Sequence, residues 1–413
     1  MTQNTFAGRG KVAVVRTTPD TVLDDYARLM ELVDYANVLP REHKTLLKIN
    51  ISWQTWYPAC STTPWQLEGV IKVLQQAGYD LAGVHNDTVV VDTGDGEFNN
   101  KHRYVTDKYN VPCIYIYKPE ETWVKYNPEK PLLVLNEVYP DGIYIPQSLI
   151  GNNIIHLPTV KTHVFTTITG AMKNAFGGLL GRQRHWTHSV INETVVDLLT
   201  IQQEIHPGLL AVMDGTFAGD GPGPRAMHWH EKNILLASTD QVAIDATSAM
   251  LQGFNPREIP FLRIAHELDL GVGDPRDIVY VGDVDATAER WSFIQEDTFA
   301  SRGQKMIYHG MLKPFEALLL RSPVVPWSYF ASNFYHNVYW YPVVGRQRVE
   351  AALETPWGKL FSEYGAEAGL RGAVMPTVER KTLLQGAALL AGGATALASA
   401  TALLSKPHRK NKG

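Results

Sequence analysis

Short apolar runs alternate with amphipathic stretches along this chain up to about residue 283. Runs at 11–16 (KVAVVR), 45–50 (TLLKIN), 81–84, 88–91, 111–117, 131–135, 153–157, 209–213, 233–237 and 278–281 are too short for helices and predict buried strands. Between them, apolar residues at helical spacing predict helices over 20–33, 65–77, 190–205, 241–251 and 259–268. Their ends carry the expected chemistry. Thr63 can cap a helix that Pro64 begins, and Gly78 stops it. Ser238, Thr239 and Asp240 offer a second cap, and Gly253 a second stop. Such alternation predicts an α/β fold over residues 1–283, a largely parallel or mixed sheet flanked by helices. In such sheets ligands bind beyond the carboxyl ends of the strands. Several strands end in polar residues: Asn50 after TLLKI, Asn136 and Glu137 after LLVL, and Asp214 after LLAVM.

After residue 283 the pattern changes. An aromatic-rich, mostly helical extension is expected over 284–381. Its stretch 327–341 (WSYFASNFYHNVYWY) holds eight aromatics. Two readings stand open for it, a membrane-interface belt or an aromatic core or dimer surface. Residues 382–405 carry no charge and are long enough to span a bilayer as a helix. Basic residues flank them: Arg380 and Lys381 before, Lys406, Arg409, Lys410 and Lys412 after. The opening MTQNTFAGRGKVAVVR has no apolar core and does not read as a secretory signal. The expectation is therefore a membrane-associated protein, held by its C-terminal helix, with the main domain on the cytoplasmic side.

Composition narrows the function classes. The chain has 413 residues, 45% of them hydrophobic and 19% charged, which suffices for a large core. Its net charge of −4 gives no electrostatic footprint for nucleic acid. Only Cys60 and Cys113 are present, so a disulfide framework is excluded, as is an iron–sulfur cluster held by four cysteines of this chain.

The candidate chemistry lies between His156 and His230, where seven of the 14 histidines fall. Lys161, Thr162 and His163 follow a strand. Lys173 and Asn174 precede a turn with Gly177, Gly178 and Gly181, and Arg182 and Arg184 follow it. Glycines let a backbone approach a ligand, and the cations would hold a phosphate or carboxylate. The order of a Walker phosphate loop is absent. His185 and His188 are spaced for one helix face, and His228 and His230 for one strand face. A divalent metal on His163 and Asp214 is one expectation, and an unidentified cofactor another. Asp214, directly after an apolar strand, is placed for a base or a ligand. The loop 219–224 (GDGPGP) would shape a rim.

Five ordered motifs then carry a resemblance: LPTVKTH at 157–163, GAMKNAFGGLLG at 170–181, VMDG at 212–215, GDGPGP at 219–224 and STDQVAIDA at 238–246. With LLKIN and STTPWQLEGVIKVLQQAGY upstream, residues 11–283 resemble the family called domain of unknown function 362. The resemblance implies an α/β fold and a site on Lys161, His163, Lys173, Asn174, Asp214 and Asp245. It also implies iron–sulfur association for some members. This chain lacks the cysteines for that, and has Lys48-Ile49-Asn50 where Lys-Pro-Asn is common. The expected site is Lys161, His163, Lys173 and Asp214 as the reactive groups, with Asn174, Gly177, Gly178, Arg182 and Asp245 binding ligand. Three functions remain open: an enzyme on a small anionic or carbonyl-bearing molecule, a membrane-associated partner or assembly factor for an iron–sulfur or cofactor protein, or a non-catalytic membrane-anchored scaffold.

Overall fold

The computed structural model describes residues 6–87, 90–320 and 326–366. Twelve strands form in chain order: Lys11–Arg16 (β1), Thr45–Ile49 (β2), Leu81–His85 (β3), Cys113–Tyr115 (β4), Trp123–Tyr126 (β5), Ile143–Pro146 (β6), Asn153–Leu157 (β7), Thr159–His163 (β8), Thr167–Ile168 (β9), Leu209–Asp220 (β10), His228–Ser238 (β11) and Val279–Gly282 (β12). The main sheet runs β12-β1-β11-β10-β7-β2-β3-β4, and β8 and β9 branch from β10. Pairing from β10 through β7, β2 and β3 to β4 is parallel; β11 runs against its neighbours β10 and β1, and β9 against β8. The mixed α/β sheet flanked by helices is thus as expected.

Alternating residues send two cores to opposite faces. Val12, Val14, Leu46, Ile154, Ala211, Met213 and Leu236 pack against helices Ile191–Ile205, Gln241–Gln252 and Pro260–Glu267. Ala13, Val15, Leu47, Ile155, Leu157, Val212 and Leu235 pack against helices Val22–Leu32 and Pro64–Gln76. The connection leaving β2 passes over the second face, and the long connection from β7 to β10 passes over the first. β2 and β7 are adjacent, so connections diverge between their carboxyl ends and leave a crevice there.

Helix boundaries follow the local chemistry. Thr63 caps Pro64–Gln76 through a reciprocal capping box with Gln66. Asp240 caps Gln241–Gln252, its carboxylate accepting from Val242 and Ala243 N–H, and Gly253 ends that helix at φ +100°. One expected strand fails. Residues 131–135 form none, because the N–H groups of Leu133, Val134 and Leu135 point at the Asp197 carboxylate at 2.6, 2.9 and 3.0 Å. Of the run 88–91, residues 88 and 89 lie outside the described residues. The strand expected at 209–213 continues to Asp220 and makes a long hairpin with β11.

The extension folds back onto the second core. Trp340, Val349, Trp357, Phe361 and Tyr364 are buried in it. Trp357 packs on Trp65 with ring centroids 5.1 Å apart, Phe361 stacks on Trp56 at 4.1 Å, and Trp340 lies 6.0 Å from Trp53. Asn337 accepts from Trp53 Nε1 at 2.7 Å. Part of the aromatic stretch is therefore core, while Phe334 and Tyr339 are exposed. The expected helix at 382–405 lies outside the described residues. Among the described residues no helix is long and apolar enough to cross a membrane.

Asp197→Ala would strand three partly or fully buried amides. The expected result is a loss of about 2–4 kcal/mol in chemical unfolding, since each unsatisfied buried group costs about 1–3 kcal/mol. A loss below ~0.5 kcal/mol would show that water replaces the carboxylate.

Candidate functional site

The crevice between β2 and β7 opens into a cavity of about 260 Å³. Lys48, Asn50 and Ser52 reach it from the end of β2, His163 from the end of β8, and Lys173, Asn174 and Gly177 from the turn that follows. Arg184 and Arg225 complete the wall, and among the described residues no aspartate or glutamate lines it.

Three buried or partly buried lysines meet here in different ways. Lys161 is fully buried, and its ammonium donates to Asn50 Oδ1 at 2.8 Å, Cys60 O at 2.7 Å and Thr159 Oγ1 at 2.8 Å. Its three protons are all used, and it stands behind the cavity wall. Burial lowers it to about 8. Lys48 donates to Ile49 O at 2.8 Å and Asn86 Oδ1 at 2.9 Å, and burial with the Arg184 charge lowers it to about 7. Lys173 rests over the Phe176 ring at 5.4 Å and donates to no described protein acceptor. Burial, then Lys161 and Arg184, lower it to about 7.

The neutral groups are turned by these partners. Because an ammonium has only donors, Lys161 fixes the Asn50 oxygen toward itself and leaves the Asn50 NH₂ facing the cavity. Phe165 N–H donates to His163 Nδ1 at 3.1 Å, so the neutral ring carries its proton on Nε2. Burial and then Lys173 hold His163 well below its usual value, so it is a neutral donor. Arg225 spends Nε on Ser52 O at 2.9 Å, while one terminal nitrogen is buried without a partner. Burial brings that guanidinium down to about 10. The cavity therefore presents donors: two ammoniums, a guanidinium, an amide and an imidazole N–H.

The other expected residues position this set. Asp245 is buried, and its carboxylate takes Ala171 N–H at 2.5 Å and Met172 N–H at 3.0 Å. Burial raises it to about 7. Gly170, at φ +73°, has no room for a Cβ, which would lie 2.3 Å from the Asp245 carboxylate. This clamp sets the turn carrying Lys173. Asn174 donates to Lys48 O at 2.9 Å and lies 3.3 Å from His156 Nδ1, tying the turn to β2 and β7. At Gly177 a Cβ would sit 3.0 Å from Asn86 Oδ1, and at Gly178 3.1 Å from Lys48 Cε, so both glycines let the turn close over Lys48. Arg182 opens the following 3₁₀ segment, and its side chain lies outside the described residues.

Asp214 is placed elsewhere. It is absent from the cavity wall, and its two oxygens accept five hydrogen bonds: from Tyr26 OH, Thr63 Oγ1, Trp65 Nε1 and both Thr216 N–H and Oγ1, at 2.6–2.9 Å. It binds the helix Pro64–Gln76 to the sheet. The structure does not bring His163 and Asp214 together as a ligand pair. Among the described residues no group of three or more His, Cys, Asp or Glu could hold a metal. His185 and His188 do line the cavity, with His188 stacked on Tyr308 at 5.6 Å and brought by burial to about 4. His230 pairs with Asp220 at 3.0 Å and His228 with Arg348 at 3.1 Å, both away from the cavity. Lys48, Asn50, Asn86 and Arg225 escaped the sequence reading. The polar end of TLLKIN pointed to the first two.

Residues 45–250 match the family described as domain of unknown function (DUF362). The chain is also 30% identical over 146 residues to a protein of Synechocystis sp. named thylakoid-associated protein; the match covers 32% of this chain and 45% of that protein. The chain thus spans less than half of that relative's length. No solved structure matches it.

The depressed lysines make stability depend on pH. Folded Lys48 releases its proton near 7, and the unfolded side chain near its ordinary 10.5. Between these values the unfolded state binds more protons, so stability rises with pH, and below 7 the penalty is constant. In an anion-free buffer the melting temperature should rise from pH 7 toward pH 10, and Lys48→Met should flatten that rise. An identical pH profile for the variant would contradict a buried titrating Lys48.

Proposed function

We propose that this DUF362 segment binds a small anionic molecule, through a phosphate, sulfate or carboxylate group, in the crevice between β2 and β7. The observation that carries the reading is a cavity whose described lining combines cations with neutral groups alone. Lys48, Lys173 and Arg225 line it, and among the described residues no carboxylate does. Buried cations are costly unless an opposite charge meets them. An anion supplies that charge and takes hydrogen bonds from Lys173, Arg225, Asn50 and His163. In this reading Lys161 and Asp245 are positioning residues, and Asp214 belongs to the scaffold. Should the molecule undergo a reaction there, a Lys173 amine close to neutrality is suited to exchange a proton with it.

Sulfate, which does not itself titrate near neutrality, is the clean probe. Isothermal titration should show binding that weakens as pH rises above 7, by about tenfold per pH unit for each lysine that must be protonated. Lys173→Ala should lose at least about tenfold, the value of one charge-assisted hydrogen bond in a shielded site. Sulfate, phosphate and small carboxylates all failing to bind would sink the proposal.

A specific observation favours a second property, attachment to a membrane surface. The extension exposes Phe299, Met311, Phe315, Leu318, Phe334 and Val343 at 51–86%. Gathered into one patch, apolar side chains of this size would mark an interaction surface, and the relative in Synechocystis sp. is named as thylakoid-associated. Flotation with anionic vesicles should carry the full chain upward, and Phe299→Asp with Phe315→Asp should reduce it severalfold. Unchanged flotation of that variant would place the contact elsewhere.

A further inference from the structure

A second cavity of about 250 Å³ adjoins the first. His163, His185, His188, Pro224 and Arg225 line both. Its far wall differs in kind. Val164, Phe165, Tyr308, Leu320 and Tyr329 supply apolar and aromatic surface, while Ser301, Gln304 and Ser332 supply neutral polar groups. Arg225, on the shared boundary, is its only Lys, Arg, Asp or Glu among the described residues. The cationic half thus passes into an uncharged half across a boundary of imidazoles. Of these, His163 and His188 stay neutral near pH 7, since burial holds both below their usual range.

We infer that the two cavities take one amphiphilic ligand, with its anionic group among Lys48, Lys173 and Arg225 and an apolar or aromatic body between Phe165, Tyr308 and Tyr329. This rests on the anionic reading of the first cavity and adds the class of molecule. A bare inorganic anion would leave the second cavity unused and its aromatic wall in water. A neutral apolar molecule would leave the cations unmatched. An anion carrying an apolar body satisfies both halves, and apolar area removed from water adds binding free energy in proportion to its size. The parts have separate origins in the chain. The cations Lys48, Lys173, Arg184 and Arg225 lie inside the family match at 45–250, and Thr298, Ser301, Gln304, Tyr308, Tyr329 and Ser332 lie beyond it. The extension would therefore select the body, and the family segment the charge.

Titration calorimetry on the full chain with sulfate, hexyl sulfate and 1-hexanol tests this. Hexyl sulfate should bind about tenfold or more tighter than sulfate, and hexanol should not bind measurably. Ala300 also lines the second cavity, and Ala300→Leu and Ala300→Trp would narrow it in two steps. They should bring hexyl sulfate back to the affinity of sulfate and leave sulfate binding unchanged, which also shows that the variants are folded. Sulfate bound equally well with or without the hexyl chain, or a hexyl gain surviving both variants, would overturn the inference and leave the anion site standing. No sulfate binding at all would overturn the anion reading itself. Vesicles of phosphatidylcholine with phosphatidic acid separate two sources of such a ligand. Displacement of hexyl sulfate by them assigns a bilayer lipid, and no displacement assigns a soluble amphiphile.

Discussion

The structure depends on the buried positive charge of Lys48, Lys161 and Lys173, which no carboxylate among the described residues pairs with. Lys48 and Lys173 face one crevice with Arg225, and Lys161 stands behind its wall. Coulomb repulsion between cations in a low-dielectric site is large, and burial adds to it. The protein relieves only part of this. Lys161 is satisfied by three neutral oxygens, and Lys48 by two. Neutral acceptors stabilise an ammonium but do not cancel its charge. What remains is a field aimed into the cavity, and the surrounding fold holds its sources in place.

Carboxylates do that holding. Asp214 gathers Tyr26, Thr63, Trp65 and Thr216. Asp240 caps a helix and also takes Gly10 and Val272 N–H at 2.9 and 3.0 Å. Asp197 binds a loop of three amides, and Asp245 the turn before Lys173. Each is buried, each is met by neutral donors, and none lines the cavity. The acids are spent on scaffolding and the bases are left to face the ligand. Replacing Asp245 would release the turn without removing a ligand contact, whereas replacing Lys173 would remove the contact and spare the turn.

This division explains what could be read from the chain alone. Strands and helices were legible because burial imposes their periods, and caps such as Thr63 and Asp240 because their chemistry is local. The cluster Lys161, His163, Lys173, Asn174, Gly177 and Gly178 was legible as polar and glycine residues after apolar runs. The role of Asp214 was not, because an aspartate after a strand looks the same whether it faces a crevice or donors from two distant helices and its own strand. The loop at 131–135 misled for the same reason, since its partner Asp197 is more than sixty positions away. Arg225 and Asn86 reach the cavity from loops whose path no period encodes.

The extension sharpens the physical argument. Its aromatics were open to two readings, and the structure divides them by residue. Trp340 and Trp357 are buried against Trp53 and Trp65. That packing anchors the extension to the same core that carries β2, and its preceding helices then reach the mouth of the crevice. Tyr308 meets His188 face to face at 5.6 Å, and Phe165 edge-on at 5.9 Å. A cation cluster at a sheet edge binds any small anion of the right size, because charge is long-ranged and weakly selective. An aromatic wall beside it is selective, because dispersion and burial act only at contact. With the wall fixed to the core and the cations fixed by carboxylates, the distance between charge and apolar surface becomes a property of the fold.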